Sequence, residues 1–119
     1  MKWKLDGSEP VYQQISAHFR RAILTGEFEA GTRIPSVREL ASAARVNPNT
    51  MQRALVELER EKILVGHGTL GRFVTSDQHI LEALRRQAVE DTVRHCQNLL
   101  AQLGLTLEDA ANILKKEEA

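Results

Sequence analysis

Residues 35–62 constrain this chain more than any other stretch, because they predict a short helix, a tight turn and a longer helix. Ser36 can cap the first helix by accepting a hydrogen bond from a free amide, and Glu39 can reach back to the Ser36 N–H. Apolar residues recur at spacings of three and four, which predicts one buried face. They are Val37, Leu40, Ala41 and Ala44. The first helix cannot run far beyond Ala44, so a turn must follow.

The second helix of this stretch is predicted to begin at Asn47 and Pro48. Asn is a good N-cap, and Pro at the first helical position gives up an N–H that has no helical partner in any case. The inner face is expected to consist of Met51, Ala54, Leu55 and Leu58. The outward residues are then Asn49, Thr50, Gln52, Arg53 and Glu57.

These outward residues have the chemistry of a DNA-recognition surface. Near the start of a helix, Asn and Gln can bond an adenine edge, Thr can contact a phosphate or a thymine methyl, and Arg can pair with guanine or phosphate. A helix-turn-helix presents such a row to the major groove through its second helix. The alternative is an ordinary solvated face, since helix-helix corners are common in all-α proteins. Both interpretations stay open on this stretch alone.

The composition is that of an ordinary soluble protein, with 42% hydrophobic and 27% charged residues. A chain of 119 residues is expected to form one domain, or a small domain with an extension. It has no apolar run close to the roughly 20 residues of a membrane span, and its N-terminus has no signal-peptide core. The lone cysteine, Cys96, cannot form an internal disulfide. Cytoplasmic localisation is the resulting expectation.

The net charge of zero hides an uneven distribution. Residues 1–75 hold 11 Lys and Arg against 8 Asp and Glu, a balance of +3, whereas residues 76–119 hold 5 against 8, a balance of −3. The imbalance is sharper between residues 33 and 53, where Arg33, Arg38, Arg45 and Arg53 face only Glu39. A local basic patch of this kind suits phosphate binding. An asymmetry of this size can also arise by chance.

The N-terminal part is expected to form a short strand and a helix. Trp3 and Leu5 alternate with polar residues, which permits a half-buried strand. Pro10 then begins a helix that ends near Thr25, and residues 26–35 form a loop that leads into the helix-turn-helix. The apolar face of this helix is predicted to be Tyr12, Ile15, Phe19, Ala22 and Ile23.

After the helix-turn-helix, two β-prone runs flank a glycine-rich loop, which predicts a hairpin. The runs are residues 63–65 and 72–75. A hairpin in this place is a wing, in which Gly68 would let the backbone approach a phosphate while His67 and Arg72 offer donors. The other interpretation of such a loop, a nucleotide-phosphate cradle, fails because a strand and not a helix follows it.

Residues 76–119 predict two amphipathic helices, the first closed by Gly104 and the second started by a capping box of Thr106 and Asp109. Two such helices cannot bury their apolar stripes completely against each other, so a second copy of the chain is the economical partner. The predicted dimerisation residues are Leu81, Leu84, Ala88, Val89, Val93, Cys96, Leu100, Leu103, Leu107 and Leu114. Alternatively, the helices fold back on the N-terminal helices and complete a monomeric core.

Several motifs, in order and correctly spaced, resemble the winged helix-turn-helix domain of the GntR family. They lie at residues 10–15, 23–26, 31–41, 46–55 and 68–74. The Asn-Pro-Asn-Thr motif at residues 47–50 and the two short C-terminal helices are similar to the YtrA subfamily. Related domains also precede aminotransferase-like enzyme domains, and larger family members have a ligand-binding domain. The residues that follow Thr75 are expected to be too few for either.

The residues and the resemblance together predict a mainly α-helical fold with a small β-wing. A winged helix-turn-helix DNA-binding domain is expected at residues 1–75 and a C-terminal helical dimerisation region at residues 76–119. The resemblance implies a homodimeric transcription regulator, usually a repressor, that binds double-stranded DNA at an inverted repeat. In this subfamily the regulated operon often includes genes for an ABC transporter.

The resemblance also assigns DNA contacts to particular positions. The residues that match family contacts are Ser36, Arg38, Asn47, Asn49, Thr50, Gln52, Arg53 and Gly68, with His67 and Arg72 as wing neighbours. Many members place Arg at the positions of Pro48 and Gln52, so their base preference cannot be carried over to this chain. The sequence identifies no small-molecule effector.

Other functions have weaker support. His95 and Cys96 are adjacent, so on a helix they diverge by about 100°, and no other His or Cys lies three or four residues away, which argues against a metal site. No triad or carboxylate pair has a pocket, so neither enzyme activity nor a cofactor is expected. The remaining alternative is a winged-helix module that binds protein. The salt dependence of binding distinguishes this module from a DNA-binding protein, because DNA affinity falls steeply as the salt concentration rises.

Overall fold

The computed structural model describes residues 1–118, which form five α-helices and one two-stranded antiparallel sheet. The helices are α1 (Val11–Leu24), α2 (Val37–Ala44), α3 (Pro48–Arg60), α4 (Gln78–Gln102) and α5 (Leu107–Glu118), and the strands are β1 (Leu64–Gly66) and β2 (Arg72–Val74). The predicted mainly α-helical fold with a small β-wing is confirmed. Within the described residues, no helix has both the length and the hydrophobicity needed to cross a bilayer.

The core of the helix-turn-helix lies where α1, α2 and α3 meet. Its largest fully buried side chains from the helices are Phe19, Ile15, Met51, Leu55 and Leu58. All of them belong to the helix faces that the three-and-four spacing predicted as inward. Each fully buried side chain of this kind stabilises the fold by about 1.5–3 kcal/mol. The buried face of α3 therefore holds its opposite face in a fixed position.

The predicted N-caps of α2 and α3 are confirmed. Ser36 Oγ accepts a hydrogen bond from the Glu39 N–H at 3.2 Å, and Asn47 Oδ1 accepts one from the Asn49 N–H at 2.7 Å. The predicted return bond from Glu39 to the Ser36 N–H is wrong. Instead, the Ser36 hydroxyl donates to Glu39 Oε1 at 3.2 Å. The carboxylate thus stabilises the capping hydroxyl and not the backbone amide.

The turn between α2 and α3 is closed by backbone hydrogen bonds around Arg45. This residue has a φ of 57°, a left-handed conformation that costs an L-residue about 1–2 kcal/mol. The Arg45 N–H donates to Ser42 O at 3.3 Å, and the Val46 N–H donates to Ala41 O at 3.1 Å. These bonds satisfy carbonyls at the end of α2 and let Asn47 begin the next helix at once.

The wing hairpin pairs Leu64 with Val74 and Gly66 with Arg72, which confirms the predicted hairpin. The loop predicted for residues 26–35 is wrong in part, because residues 31–34 pair with β2. The Ile34 N–H donates to Arg72 O at 3.0 Å, and the Val74 N–H donates to Thr32 O at 2.8 Å. The wing is therefore tied to the segment that enters α2.

The strand predicted around Trp3 and Leu5 is wrong, since residues 1–6 are described and form no ladder. Both side chains are nevertheless half-buried against the core, as their alternation indicated. The segment lies along α1, where Gln14 Nε2 donates to Asp6 O at 2.8 Å and the Asp6 N–H donates to Gln14 Oε1 at 2.9 Å. A helix side chain thus satisfies backbone groups that a neighbouring strand would have bonded.

The chain divides into two compact units, Met1–Leu84 and the residues from 85 onward. The first unit extends past the boundary expected at residue 75, because the start of α4 packs against the core through Ile80, Leu81 and Leu84. Leu81 and Leu84 were predicted as dimerisation residues. Both side chains are half-buried against the core of the first unit, and their role in dimerisation stays a prediction.

The second unit contains the rest of α4, a tight turn and α5. Gly104 has a φ of 73° at the turn, and the Leu105 N–H donates to Leu100 O at 3.0 Å. The predicted capping box is confirmed in both directions. The Asp109 N–H donates to Thr106 Oγ1 at 3.1 Å, and the Thr106 N–H donates to Asp109 Oδ2 at 2.9 Å.

Candidate nucleic-acid interface

The outward face of α3 presents the polar row that the sequence predicted. Asn49, Gln52 and Arg53 are exposed, and Thr50 is half-buried. Asn47 is exposed at the start of the helix, but its Oδ1 is occupied by the capping bond to the Asn49 N–H. Its Nδ2 amino group remains as a donor for an acceptor on DNA. The row therefore offers side-chain donors and acceptors on one face of a rigid helix.

Arg53 is positioned by an aromatic ring from another helix. Its guanidinium carbon lies 3.7 Å from the centroid of the Tyr12 ring. At an exposed site such a cation–π contact is worth about 0.5–1 kcal/mol. Val11, Tyr12, Asn49, Thr50 and Arg53 line a shallow depression of about 380 Å³. Tyr12 packs against the core, as the apolar spacing of α1 predicted, but it also brings the start of α1 to the same surface as the recognition row, which the sequence did not predict.

Arginines around the helix-turn-helix carry charge that no acidic side chain neutralises. Arg33, Arg38, Arg45 and Arg53 are exposed and form no ion pair within residues 1–117. By contrast, Arg20 donates to both carboxylate oxygens of Glu61 at 2.8 Å. Positive charge that is free of ion pairs attracts phosphates and releases their counterions on binding. The basic residues that the sequence groups together are therefore also exposed and unpaired in the fold.

A groove of about 490 Å³ lies between the wing and the start of α2. Its lining includes Ser36, Gly68 and Arg72, three DNA-contact candidates, and it adds Arg33 and Glu59, whose carboxylate pairs with Arg72. Arg38 does not line the groove but is exposed on the first turn of α2. Hydroxyl, backbone and guanidinium donors therefore lie close together at a groove that could hold the sugar-phosphate backbone of DNA.

The tip of the wing is exposed and held by local bonds. The His67 N–H donates to Gly71 O at 2.8 Å, and the His67 ring packs edge-on against Phe73 with centroids 5.0 Å apart. Gly68 and Gly71 have φ values of 57° and 100°, which other residues adopt only under strain. The tip thus presents backbone and an imidazole to the outside.

Arg72 lies at the base of the wing, where it lines the same groove as Ser36 and Gly68, and it also contacts the recognition helix. Its Nε forms an ion pair with Glu59 of α3, and its Nη2 donates to Gln52 Oε1 at 3.3 Å. Its side chain is only 19% exposed. Gly66 is its partner across the ladder, and a Cβ there would lie 3.4 Å from Glu59 Oε2. Arg72 therefore connects the wing to the recognition helix, a role that the spacing of Gln52 and Glu59 on one helix face could have suggested.

The second unit exposes apolar side chains on α4 and α5. On α4 they follow one another at spacings of four and three, the pattern of a two-stranded coiled coil. This α4 seam consists of Val89, Val93, Cys96, Leu100 and Leu103. Val89 is 56% exposed, Leu103 74% and Leu114 62%, whereas Ala88, Leu100 and Leu107 are half-buried. The residues from 85 onward therefore carry an exposed apolar stripe along α4.

No metal centre is found in the part of the chain that the structure describes, where no three His, Cys, Asp or Glu side chains could share an ion. His95 and Cys96 are both exposed on α4. The functional surface of the first unit consists of donors and positive charges on a convex helix and a wing. Its chemistry is that of binding to a polyanion.

A helix-turn-helix whose second helix exposes a polar face, followed by a two-stranded wing, defines the class of winged helix-turn-helix DNA-binding proteins. Comparison with known sequences leads to the same class. The profile described as "Bacterial regulatory proteins, gntR family" matches residues 11–74. The chain belongs to the GntR family, and it is a transcription regulator.

Its relatives include regulators of similar length. It is 36% identical over 112 residues to the HTH-type transcriptional repressor YtrA of Bacillus subtilis, covering 92% of this chain and 79% of that protein. It is 30% identical over 112 residues to the transcriptional regulator YhcF of the same organism, covering 94% and 93%. A solved GntR family regulator from Listeria monocytogenes superposes with a TM-score of 0.83 at 35% identity, covering 94% and 98%. These relatives are transcription regulators, not enzymes.

Proposed function

We propose that this chain is a homodimeric repressor whose two α3 helices bind the major groove of an inverted-repeat operator. The observation that supports this most directly is the exposed polar row of α3 beside four unpaired arginines. Asn, Gln and Arg side chains on such a row can bond base edges, and free arginines supply the attraction to phosphate. Binding to chromosomal DNA would occur in the cytoplasm.

The residues of the site divide into two roles. Asn49, Gln52 and Arg53 extend from the exposed face of α3 and would contact base edges, which determine sequence preference. Residues around the groove between wing and α2 would contact the phosphate backbone, which fixes register. Arg33, Ser36 and Gly68 line this groove, with Arg38 on the first turn of α2 and His67 in the wing. Asn47 and Thr50, at the start of α3, would add further phosphate contacts.

The residues from 85 onward would form the dimer. The α4 seam has the spacing with which one helix packs against a second copy, and twofold symmetry is the commonest arrangement of identical chains. In a dimer that binds two half-sites, the recognition helices lie about 34 Å apart, one turn of the duplex. An inverted repeat is the DNA sequence with matching symmetry.

Repression is supported by the 36% identical relative YtrA, whose name describes a transcriptional repressor. An operator-bound dimer would block RNA polymerase, and a signal that changes dimer geometry would release it. Because the YtrA subfamily often regulates ABC transporter operons, we propose such genes as targets.

Selection of bound sequences from a random DNA pool tests this function. The full chain should enrich an inverted repeat whose half-sites are centred about 10 base pairs apart, or a multiple of that. Arg53→Ala should lower affinity for the selected operator about 5- to 150-fold, the cost of a lost bidentate base contact. Arg20→Ala is the matched control, because Arg20 is already paired with Glu61. Failure to enrich any sequence, together with salt-insensitive binding to a protein, would refute the proposal.

A further inference from the structure

The recognition helix and the wing meet at one side-chain cluster, formed by Gln52, Glu59 and Arg72. Gln52 and Glu59 are seven residues apart on α3, so they lie on the same helix face about two turns apart. Arg72 enters from β2, where its Nε pairs with Glu59 and its Nη2 donates to Gln52 Oε1 at 3.3 Å. The guanidinium thus contacts both ends of this helix face.

This contact determines how the Gln52 amide is oriented. A guanidinium has five donors and no acceptor, so only the amide oxygen of Gln52 can face it. The Nε2 amino group is then the free end of the side chain. Gln52 itself is exposed, so its amino group is available to a base edge.

The orientation matters because the purines differ at their major-groove edges. Adenine offers an acceptor, N7, and a donor, the N6 amino group, whereas guanine offers two acceptors, N7 and O6. Bidentate binding of adenine by Gln needs both the amide oxygen and the amino group. Here one of the two lone pairs of the oxygen already accepts from Arg72, and the positive charge of the guanidinium disfavours the approach of the adenine N6 amino group to the other.

We infer that Arg72 sets the base preference of Gln52, so that Gln52 acts as a hydrogen-bond donor and prefers guanine to adenine. This inference rests on the proposed function, since it concerns the same recognition helix. It reassigns Arg72 from a phosphate contact to a residue that positions a base contact. Glu59 holds the Arg72 guanidinium in place and is the second positioning residue.

The test is a binding-site selection with the full chain, in which the guanine-to-adenine ratio is measured at each operator position. Gln52→Ala identifies the position that Gln52 contacts, because the preference there disappears. Arg72→Met removes the donors but keeps an apolar stem of similar length. A second variant, Arg72→Met with Glu59→Met, leaves no unpaired carboxylate, so wing stability and base preference can be separated. Arg33→Met is the matched control, since it removes one exposed charge near the wing without touching Gln52.

The wild type should prefer guanine at the Gln52 position about tenfold. Both Arg72 variants should shift that ratio toward adenine about tenfold, while circular dichroism shows a folded chain. Arg33→Met should weaken binding overall and leave the ratio within about twofold. A wild-type preference for adenine, or an unchanged ratio in both Arg72 variants, overturns the inference while leaving the operator itself in place. If no operator is enriched at all, the proposed function fails and the inference with it.

Discussion

Removing the charge of Arg33 should make DNA binding less sensitive to salt. Arg33 lines the groove beside Ser36 and Gly68, and it forms no ion pair within residues 1–117. A guanidinium that neutralises a phosphate releases condensed counterions, which is why affinity falls as salt rises. Arg33→Ala deletes this contact in each subunit and leaves the backbone pairing of residue 33 with Phe73 intact.

The magnitude follows from the number of unpaired arginines. Arg53 is assigned to a base edge, which leaves Arg33, Arg38 and Arg45 as phosphate contacts, about six in two chains. At about 0.9 each, the slope of log affinity against log salt is near −5. Arg33→Ala removes two contacts per dimer and should bring the slope to about −4. Between about 50 and 200 mM salt, the wild type should lose roughly 10³-fold in affinity and the variant roughly 10²-fold.

The assay is fluorescence anisotropy of a labelled operator duplex, titrated with protein at several KCl concentrations. The control is Arg20→Ala, whose guanidinium is already bonded to Glu61, so the slope should stay at the wild-type value. An unchanged slope in Arg33→Ala would show that Arg33 neutralises no phosphate. An equal change in both variants would show that the loss of charge, and not its position in the groove, produced the effect; either result refutes the prediction.

Three further predictions concern other parts of the chain. Tyr12→Leu should weaken operator binding about two- to fivefold per half-site by removing the cation–π contact of the recognition helix, whereas Tyr12→Phe keeps a ring face and should bind within about twofold of the wild type. Val93→Glu should place two like charges at the dimer interface, so the protein should sediment as a monomer in analytical ultracentrifugation and bind the operator at least about tenfold more weakly. The control is Asn98→Glu, on the opposite face of α4, which should stay dimeric. A chain cut after Leu84 should remain a folded monomer, whereas one cut after Thr75 should lose about 3 kcal/mol in urea unfolding because the packing of early α4 is gone; equal stability of the two fragments would contradict this boundary.

Local patterns predicted the elements of this fold well. The caps Ser36 and Asn47, the capping box at Thr106 and the inward faces of α1 to α3 follow from interactions between residues a few positions apart, and the structure confirms them. The same patterns predicted the polar row of α3. Once the apolar residues of a helix are assigned to the buried face, the remaining residues must lie on the exposed face. Helix faces and caps depend on residues a few positions apart, so a single sequence is enough to predict most of them.

Contacts between distant residues were the part that the sequence did not predict. Residues 31–34 form a loop by composition, yet they pair with β2 because that strand offers a free edge. Trp3 and Leu5 alternate as a strand would, yet they pack on a helix. The Arg72–Glu59 pair joins two elements that are separate in the sequence. Each of these outcomes depends on which surfaces the fold brings together, and periodicity along one segment does not specify this.

Methylation interference on the selected operator tests the central claim most directly, that two copies of the exposed α3 row lie against base edges of one duplex. Dimethyl sulfate marks guanine N7 in the major groove and adenine N3 in the minor groove, so one experiment compares both grooves. We predict that methylated guanines inhibit binding in two symmetric clusters centred about 10 base pairs apart, one duplex turn. A single cluster, or interference confined to adenine N3, would contradict recognition by paired α3 helices.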